Sequence, residues 1–129
     1  MPYKHGDLHD CQYAGTLETS LTSKQDHHLF YWYFKNENED APLIVFINGG
    51  PGSTSMFGLF YENGPFRVNR TGSGKDDYVL YAPSYGSWAD QYDIVFIDQP
   101  VNSGFSYGIV TLTAWRIYRK NSLSSCYNF

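Results

Sequence analysis

Several features that decide the class of a protein are absent from this sequence. No apolar run approaches the ~20 residues that a membrane-spanning helix needs. Positive charge is scarce, and the formal net charge of −4 argues against a surface that binds nucleic acid. His and Cys form no cluster with the spacing of a metal site, so neither a metal nor another cofactor is expected.

Cysteine is also scarce. Cys11 and Cys126 stand near opposite ends of the chain, and they could pair, although no feature of the sequence requires it. No apolar segment follows the first four residues, Met1 to Lys4, so the chain is not expected to begin with a signal peptide.

The residues that are present are those of a globular protein. Apolar residues make up 42% of the chain and charged residues 17%, and 129 residues suffice for one domain. Aromatic residues reach 19%, and such side chains favour strands and the walls of clefts. Asn69-Arg70-Thr71 is a glycosylation sequon, but roughly one such triplet is expected by chance at this content of Asn, Ser and Thr, so it says little about compartment.

One stretch organises the chain. Five apolar residues, Leu43 to Ile47, run into a turn made almost entirely of glycine and proline, residues 48–53. A continuous apolar run bounded by such residues is typical of a strand buried on both faces of a parallel sheet. The glycines permit φ values that other residues avoid, and their backbone N–H groups can bind an anion. The alternative is that residues 48–53 only form a tight turn from strand to helix and bind no ligand.

The remaining pattern predicts a series of short elements. A second buried strand, 93–98, should lie parallel beside 43–47, because about 45 residues between them allow a crossover. Trp88 is expected to be buried. The other predicted elements are strands at 12–20, 29–34 and 78–81, a charged hairpin tip at 35–40, a short helix at 54–61 capped by Ser53 or Thr54, a loop at 67–75 and a turn region at 82–88.

Three blocks of this sequence resemble the serine carboxypeptidases, a family of α/β-hydrolases. They are residues 43–55, residues 58–65 (GLFYENGP) and residues 98–107 (DQPVNSGFSY), and they occur in the family's order. Ser53 stands where this family typically has a cysteine, so at least one disulfide of the family is not expected here.

The resemblance implies an α/β fold and a division of the chain into three parts. The fold would be the N-terminal part of an α/β-hydrolase sheet, truncated, with a mixed sheet whose first strands are antiparallel and whose later strands are parallel. The parts would be a polar arm at 1–11, a partial hydrolase domain at 12–107 and an unmatched tail at 108–129. The resemblance also suggests a vacuolar, lysosomal or secreted protein.

The resemblance further implies a peptide substrate with a free C-terminal carboxylate. Asn48, through its amide, and Gly49, through its N–H, would bind that carboxylate, and Gly50 N–H would donate to the oxyanion of the transition state. Glu62 would join the carboxylate-binding group in its protonated form, because an ionised Glu62 would repel the substrate. Neither nucleic acid nor a membrane span is expected beside this substrate, and oligomeric state is left open.

Aromatic residues of the predicted helix allow two interpretations. Phe57, Phe60 and Tyr61 could line a cleft for an apolar substrate side chain, or they could belong to the core.

Ser106 matches the pattern G-x-S-x-G literally, yet we expect no nucleophile there. A nucleophile elbow sits directly on the end of a strand, whereas Ser106 lies eight residues beyond strand 93–98. Hydrolases of this fold also order their triad as Ser, acid, His, and no Asp, Glu or His follows Ser106. The nucleophile, acid and base are therefore expected to be absent from this chain, which would be inactive alone. Asp98 is expected to be structural and to bond N–H groups of loops.

Two alternatives remain at this stage. The first is another α/β-hydrolase peptidase, of the proline iminopeptidase type, which also uses a G-G-P-G loop. The second is a non-catalytic fragment that binds carboxylate-bearing peptides or nothing.

Overall fold

The computed structural model describes residues 11–19, 26–74 and 77–109. Residues 1–10 of the predicted arm, nearly all of the predicted tail and Cys126 lie outside these residues, while Cys11, the last residue of the arm, is exposed. The described strands are β1 (Gln12–Glu18), β2 (His27–Phe34), β3 (Leu43–Ile47), β4 (Arg67–Arg70), β5 (Tyr78–Tyr81), β6 (Asp93–Ile97) and β7 (Tyr107–Gly108). One α-helix, α1 (Met56–Tyr61), and one turn of 3-10 helix, Trp88–Asp90, complete the described elements.

The main sheet has the strand order β1-β2-β6-β3, and β7 also pairs with β2. β2 runs antiparallel to β1, β6 and β7, whereas β3 and β6 are parallel, with Val45 opposite Val95. The predicted mixed sheet and the parallel pairing of its two apolar strands are confirmed. β4 and β5 form a separate antiparallel pair.

The expectation of a hairpin tip at residues 35–40 is wrong, because β6 lies between β2 and β3. The segment instead crosses the beginning of β6. Asn36 donates from its backbone N–H to Asp93 Oδ1 (2.7 Å) and from its side chain to the carbonyl of Ala89 (2.7 Å). The Tyr33 hydroxyl donates to the other carboxylate oxygen of Asp93 at 2.6 Å.

Only one face of the main sheet is covered by described elements. α1 and the 3-10 turn pack on that face, and β4 lies against α1. Seven buried apolar residues form the core there: Phe34, Met56, Leu59, Phe66, Ala89, Ile94 and Phe96. Aromatic rings dominate the contacts, for example Phe34 against Phe66 with centroids 5.4 Å apart, edge to face. The core therefore lies between the sheet and α1.

The opposite face of β3 is open in the described part of the chain. Leu43, Val45 and Ile47 are 59%, 53% and 48% exposed. The expectation that this strand is buried on both faces therefore does not hold for the described residues. No described helix is long and apolar enough to cross a membrane.

Two local predictions are wrong and one holds in part. The N-cap of α1 is Ser55, whose side chain makes no capping bond, but Thr54 Oγ1 accepts from the N–H of Met56 at 3.2 Å, as a capping side chain does. Arg67–Arg70 is a strand rather than a loop, because pairing with the apolar strand β5 overrides its polar composition. Trp88 is 45% exposed rather than buried, since it opens a 3-10 turn whose core contact is made by Ala89.

Candidate functional site

The turn after β3 has the backbone conformation that its glycines predict. Gly50 and Gly52 have φ values of +127° and +104°, which L side chains rarely adopt. A Cβ at Gly50 would also lie 3.3 Å from the backbone nitrogen of Ser53. Glycine at position 50 therefore permits both the positive φ and the close approach of the backbone.

The N–H groups of Gly49 and Gly50 make no hydrogen bond within the described residues. Both glycines are exposed, at the carboxyl end of β3. This edge is where α/β proteins place their ligands. Two backbone donors on one short loop could thus donate hydrogen bonds to an anion, or to an oxygen that becomes negatively charged in a transition state.

Asn48 is held by the loop that it opens. Its backbone N–H donates to Ser55 Oγ (3.0 Å), and its amide Nδ2 donates to Ser53 Oγ and to the carbonyl of Thr54, both at 3.0 Å. The two amide protons are therefore directed into the loop. The Thr54 carbonyl belongs to the backbone, whereas Ser53 is exposed, so a ligand could replace the Ser53 hydroxyl as an acceptor for Asn48.

Glu62 follows the last residue of α1, and its N–H donates to the carbonyl of Gly58 at 3.0 Å. Glu62 is exposed and lines an open cavity of about 420 Å³ together with Arg67 and Tyr81. No hydrogen bond joins Glu62 to Asn48 in the described part of the chain. The described residues thus place the two predicted carboxylate ligands at opposite ends of one loop–helix unit without bringing them into contact.

Arg67 holds the turn that carries Glu62. Its guanidinium donates to the carbonyls of Gly64 (2.7 Å), Phe66 (2.9 Å) and Glu62 itself. A guanidinium can do this because it presents five N–H donors in one plane.

The aromatic residues of α1 divide between the two interpretations. Phe57 and Tyr61 are 49% and 58% exposed and stack on each other with centroids 5.1 Å apart, since positions i and i+4 share a helix face. Phe60 is partly buried, packs against the core and meets Trp32 edge to face. Phe57 and Tyr61 are therefore available to a ligand, whereas Phe60 is a core residue.

Asp98 joins the two loops at this edge of the sheet. Its fully buried carboxylate accepts from Thr54 Oγ1 (2.8 Å) and Ser55 N–H (2.7 Å) before α1, and from Phe105 N–H (2.8 Å) in the loop after β6. The expected structural role, with bonds to loop N–H groups, is confirmed. A Cβ at Gly104, where φ is +52°, would lie 2.0 Å from Asp98 Oδ2.

Ser106 has its hydroxyl engaged in the fold. The side chain is 4% exposed, donates to the carbonyl of Asp98 at 2.6 Å and accepts from the N–H of Phe30 at 2.8 Å. No imidazole is bonded to it among the described residues. This geometry accords with the interpretation of Ser106 as a structural residue.

Sequence reasoning missed two residues of this region. Ser55 is fully buried, accepts from Asn48 N–H and donates to the carbonyl of Ile97, so it links β3 to β6 beneath the glycine turn. The available signal is a serine directly before an apolar helix. Arg67 was assigned to a loop, and nothing local predicts that its guanidinium turns back onto residues 62–66.

Comparison with known proteins gives a consistent result. Residues 2–122 match the sequence profile described as serine carboxypeptidase, a range that extends beyond the 12–107 over which similarity was recognised. Carboxypeptidase Y homolog A of Talaromyces marneffei is 42% identical over 98 residues, which are 74% of this chain and 16% of that protein. Vitellogenic carboxypeptidase of Aedes aegypti is 40% identical over 97 residues, 74% of this chain and 19% of that protein.

A solved structure resembles the fold as well. The crystal structure of Kex1, a prohormone-processing carboxypeptidase from Saccharomyces cerevisiae, aligns with a TM-score of 0.61 and 39% identity. The alignment covers 74% of this chain and 20% of that chain. The chain thus spans between 16% and 20% of the length of these relatives.

Proposed function

The chain belongs to the serine carboxypeptidase family. We propose that it forms the part of a serine-type carboxypeptidase that binds the substrate's terminal carboxylate and supplies one hydrogen-bond donor to the oxyanion of the transition state. The reaction removes the C-terminal residue of a peptide through an acyl-enzyme. The nucleophile, acid and base are supplied by residues other than those described, and the chain alone is inactive. Family membership argues against the proline iminopeptidase alternative.

The observation that carries this proposal is the pair of unpaired backbone donors at Gly49 and Gly50. They follow directly after a parallel strand, on a turn whose positive φ at Gly50 only glycine readily adopts. Gly50 N–H is one oxyanion donor, and such a donor contributes roughly 3 kcal/mol to transition-state stabilisation. Gly49 N–H binds the substrate carboxylate.

Asn48 and Glu62 complete the carboxylate site. The substrate carboxylate replaces the Ser53 hydroxyl as acceptor for Asn48, which keeps its second bond to the Thr54 carbonyl. Glu62 donates to the same carboxylate in its protonated form. Phe57 and Tyr61 form an apolar wall for a substrate side chain. The protonated form of Glu62 is required because an ionised Glu62 would repel the substrate carboxylate.

The test compares matched substrates that differ only at the C-terminus, an N-blocked dipeptide acid and its amide. Residues 12–107 replace the matching segment of Kex1, which supplies the rest of an enzyme. Asn48→Ala should raise KM for the acid by about 5- to 150-fold, equivalent to roughly 1–3 kcal/mol for a hydrogen bond to a charged group, and leave the amide nearly unchanged. Glu39→Ala, at an exposed position in the segment 35–40, is the control.

Glu62→Gln keeps a hydrogen-bond donor but carries no charge. It should lower KM for the acid substrate, because the repulsion between two carboxylates is removed, and it should leave KM for the amide nearly unchanged. Equal losses on both substrates for Asn48→Ala, together with an unchanged KM of Glu62→Gln for the acid, would contradict the carboxylate assignment.

A further inference from the structure

The sequon at Asn69 lies on the surface of the fold. Asn69 is in β4 and exposed, and Thr71, also exposed, follows the end of the strand. The Asn69 side chain makes no hydrogen bond within the described residues, and Thr71 is engaged through its backbone N–H, which donates to the Asp77 carbonyl at 2.8 Å. No other Asn in the chain begins an Asn-x-Ser/Thr triplet. The side chains of Asn69 and Thr71, which a glycosylation acceptor needs, are therefore exposed and make no hydrogen bond within the described residues.

The strand beside Asn69 presents an unusual surface. All four residues of β5, Tyr78–Tyr81, are apolar or aromatic and between 40% and 53% exposed. β5 pairs with β4 alone, so its other edge is unpaired in the described part of the chain. A short apolar strand with a free edge is a site for association with other chains.

The register places Asn69 directly opposite Val79. Residues opposed in an antiparallel pair point to the same face with Cβ atoms roughly 4.5–5.5 Å apart, and the next residue on that face of β5 is Tyr81. A large polar group on Asn69 would therefore lie over the apolar surface of β5.

From this juxtaposition we propose that Asn69 carries an N-linked glycan that covers the exposed face of β5. In the transfer, Asn69 Nδ2 forms a bond to the anomeric carbon of an oligosaccharide carried on a lipid diphosphate. The bond from that carbon to the phosphate oxygen breaks, the lipid diphosphate leaves with the electron pair, and Nδ2 releases one proton. The glycan adds polar bulk where the fold leaves apolar surface open.

The experiment is secretion of the 129-residue chain from a eukaryotic host behind a cleavable leader, with gel mobility measured before and after treatment with an N-glycosidase. The wild-type chain should shift to higher mobility on treatment. Asn69→Gln and Thr71→Ala should migrate at the deglycosylated position with or without enzyme. Thr71→Ser, which keeps the acceptor triplet, and Arg70→Lys, which alters only its middle residue, should both behave as wild type.

The covering role has its own readout. The glycosylated chain should bind less of a hydrophobic dye and form fewer aggregates than the enzyme-treated chain or Asn69→Gln. In the enzyme-treated chain and Asn69→Gln, replacing Val79 and Tyr81 with Thr should remove most of that excess dye binding. A wild-type chain whose mobility is insensitive to the glycosidase would overturn the site. A glycosylated chain whose dye binding equals that of the treated chain would overturn the proposed covering.

Discussion

Asp98 is the point at which the two loops beside the glycine turn are held together. Its carboxylate is fully buried and accepts from Thr54 Oγ1, Ser55 N–H and Phe105 N–H at 2.7–2.8 Å. No ion pair involves Asp98 among the described residues. These three hydrogen bonds therefore compensate the burial of the carboxylate, and its replacement should be measurable as a loss of stability.

We expect Asp98→Asn to lower the free energy of unfolding by about 2 kcal/mol, and Asp98→Ala by about 4 kcal/mol. Asn keeps one oxygen for Thr54 and Ser55 but turns an amide N–H₂ towards the N–H of Phe105, so one bond is lost. A hydrogen bond to a charged acceptor contributes roughly 1.5–3 kcal/mol. Ala loses all three bonds, but the total falls below their sum because no carboxylate has to be desolvated on folding.

The assay is urea-induced unfolding of the chain at neutral pH, followed by tryptophan fluorescence. Thr54→Val removes one donor and should lower stability by about 1–2 kcal/mol, whereas the exposed Asp40→Asn should change it by less than about 0.5 kcal/mol. Hydrogen exchange at the Phe105 amide reports the same loss locally. The reasoning is refuted if Asp98→Ala lowers stability by less than about 1 kcal/mol, or if Asn and Ala are equally damaging.

Four further predictions follow from the same contacts. Ser106→Ala should lower the free energy of unfolding by roughly 1–3 kcal/mol, and the wild-type chain should not react with a fluorophosphonate probe; labelling at Ser106 would contradict its structural role. Arg67→Lys and Arg67→Met should both speed amide exchange across residues 62–66, because an ammonium cannot reproduce the planar fork, and unchanged exchange in both would refute the clamp. The hydrogen bond to Asp93 raises the pKa of Tyr33 from 10.0 to about 12, so its stabilisation is complete below pH 10 and is lost as pH rises to 12; Tyr33→Phe should abolish that alkaline transition. The open face of the main sheet should make the chain bind hydrophobic dyes, and replacing Val45 with Thr should reduce the binding; no dye binding by the wild-type chain would count against an accessible face.

Asp93 predicts the complementary behaviour in acid. Burial disfavours its ionised form, but the hydrogen bonds from the Tyr33 hydroxyl and the Asn36 N–H outweigh that effect and hold its pKa below the usual range. A carboxyl whose folded pKa is lowered stabilises the fold above its unfolded pKa and loses that contribution as pH falls through the folded value. The Tyr33–Asp93 pair therefore stabilises the fold fully between the ordinary carboxyl range and pH 10.

The sequence predicted the apolar strands well because their signal is local. Continuous apolar runs ended by turn residues predict buried strands, and β3 and β6 begin within a residue of the predicted positions. The parallel pairing could also be inferred, since a long connection allows a crossover. The α/β-hydrolase fold, implied by resemblance, is supported by the Kex1 structure.

Strand adjacency was less predictable. Residues 35–40 have the composition of an exposed connection, and such a composition does not distinguish a hairpin from a crossing over an intervening strand. The deciding contact is Asn36 with Asp93, 57 residues apart, which anchors the segment over the beginning of β6. The same limit explains β4, whose polar sequence became a strand only because β5 pairs with it.

The candidate site depends both on local sequence signals and on contacts between residues far apart in the chain. Glycine supplies the conformational freedom that the turn needs, but the same freedom makes the turn entropically costly to order. Residues outside the turn hold its two ends. Ser55 Oγ accepts from the N–H of Asn48 at the first end. At the second end the carboxylate of Asp98, 43 residues beyond Ser55, accepts from the Ser55 N–H. Because both ends are tied to the β6 side of the sheet, the Gly49 and Gly50 donors depend on residues that no local pattern connects with them. A variant that removes the Asp98 carboxylate should therefore disturb the position of the Gly49 and Gly50 N–H groups although both glycines are unchanged.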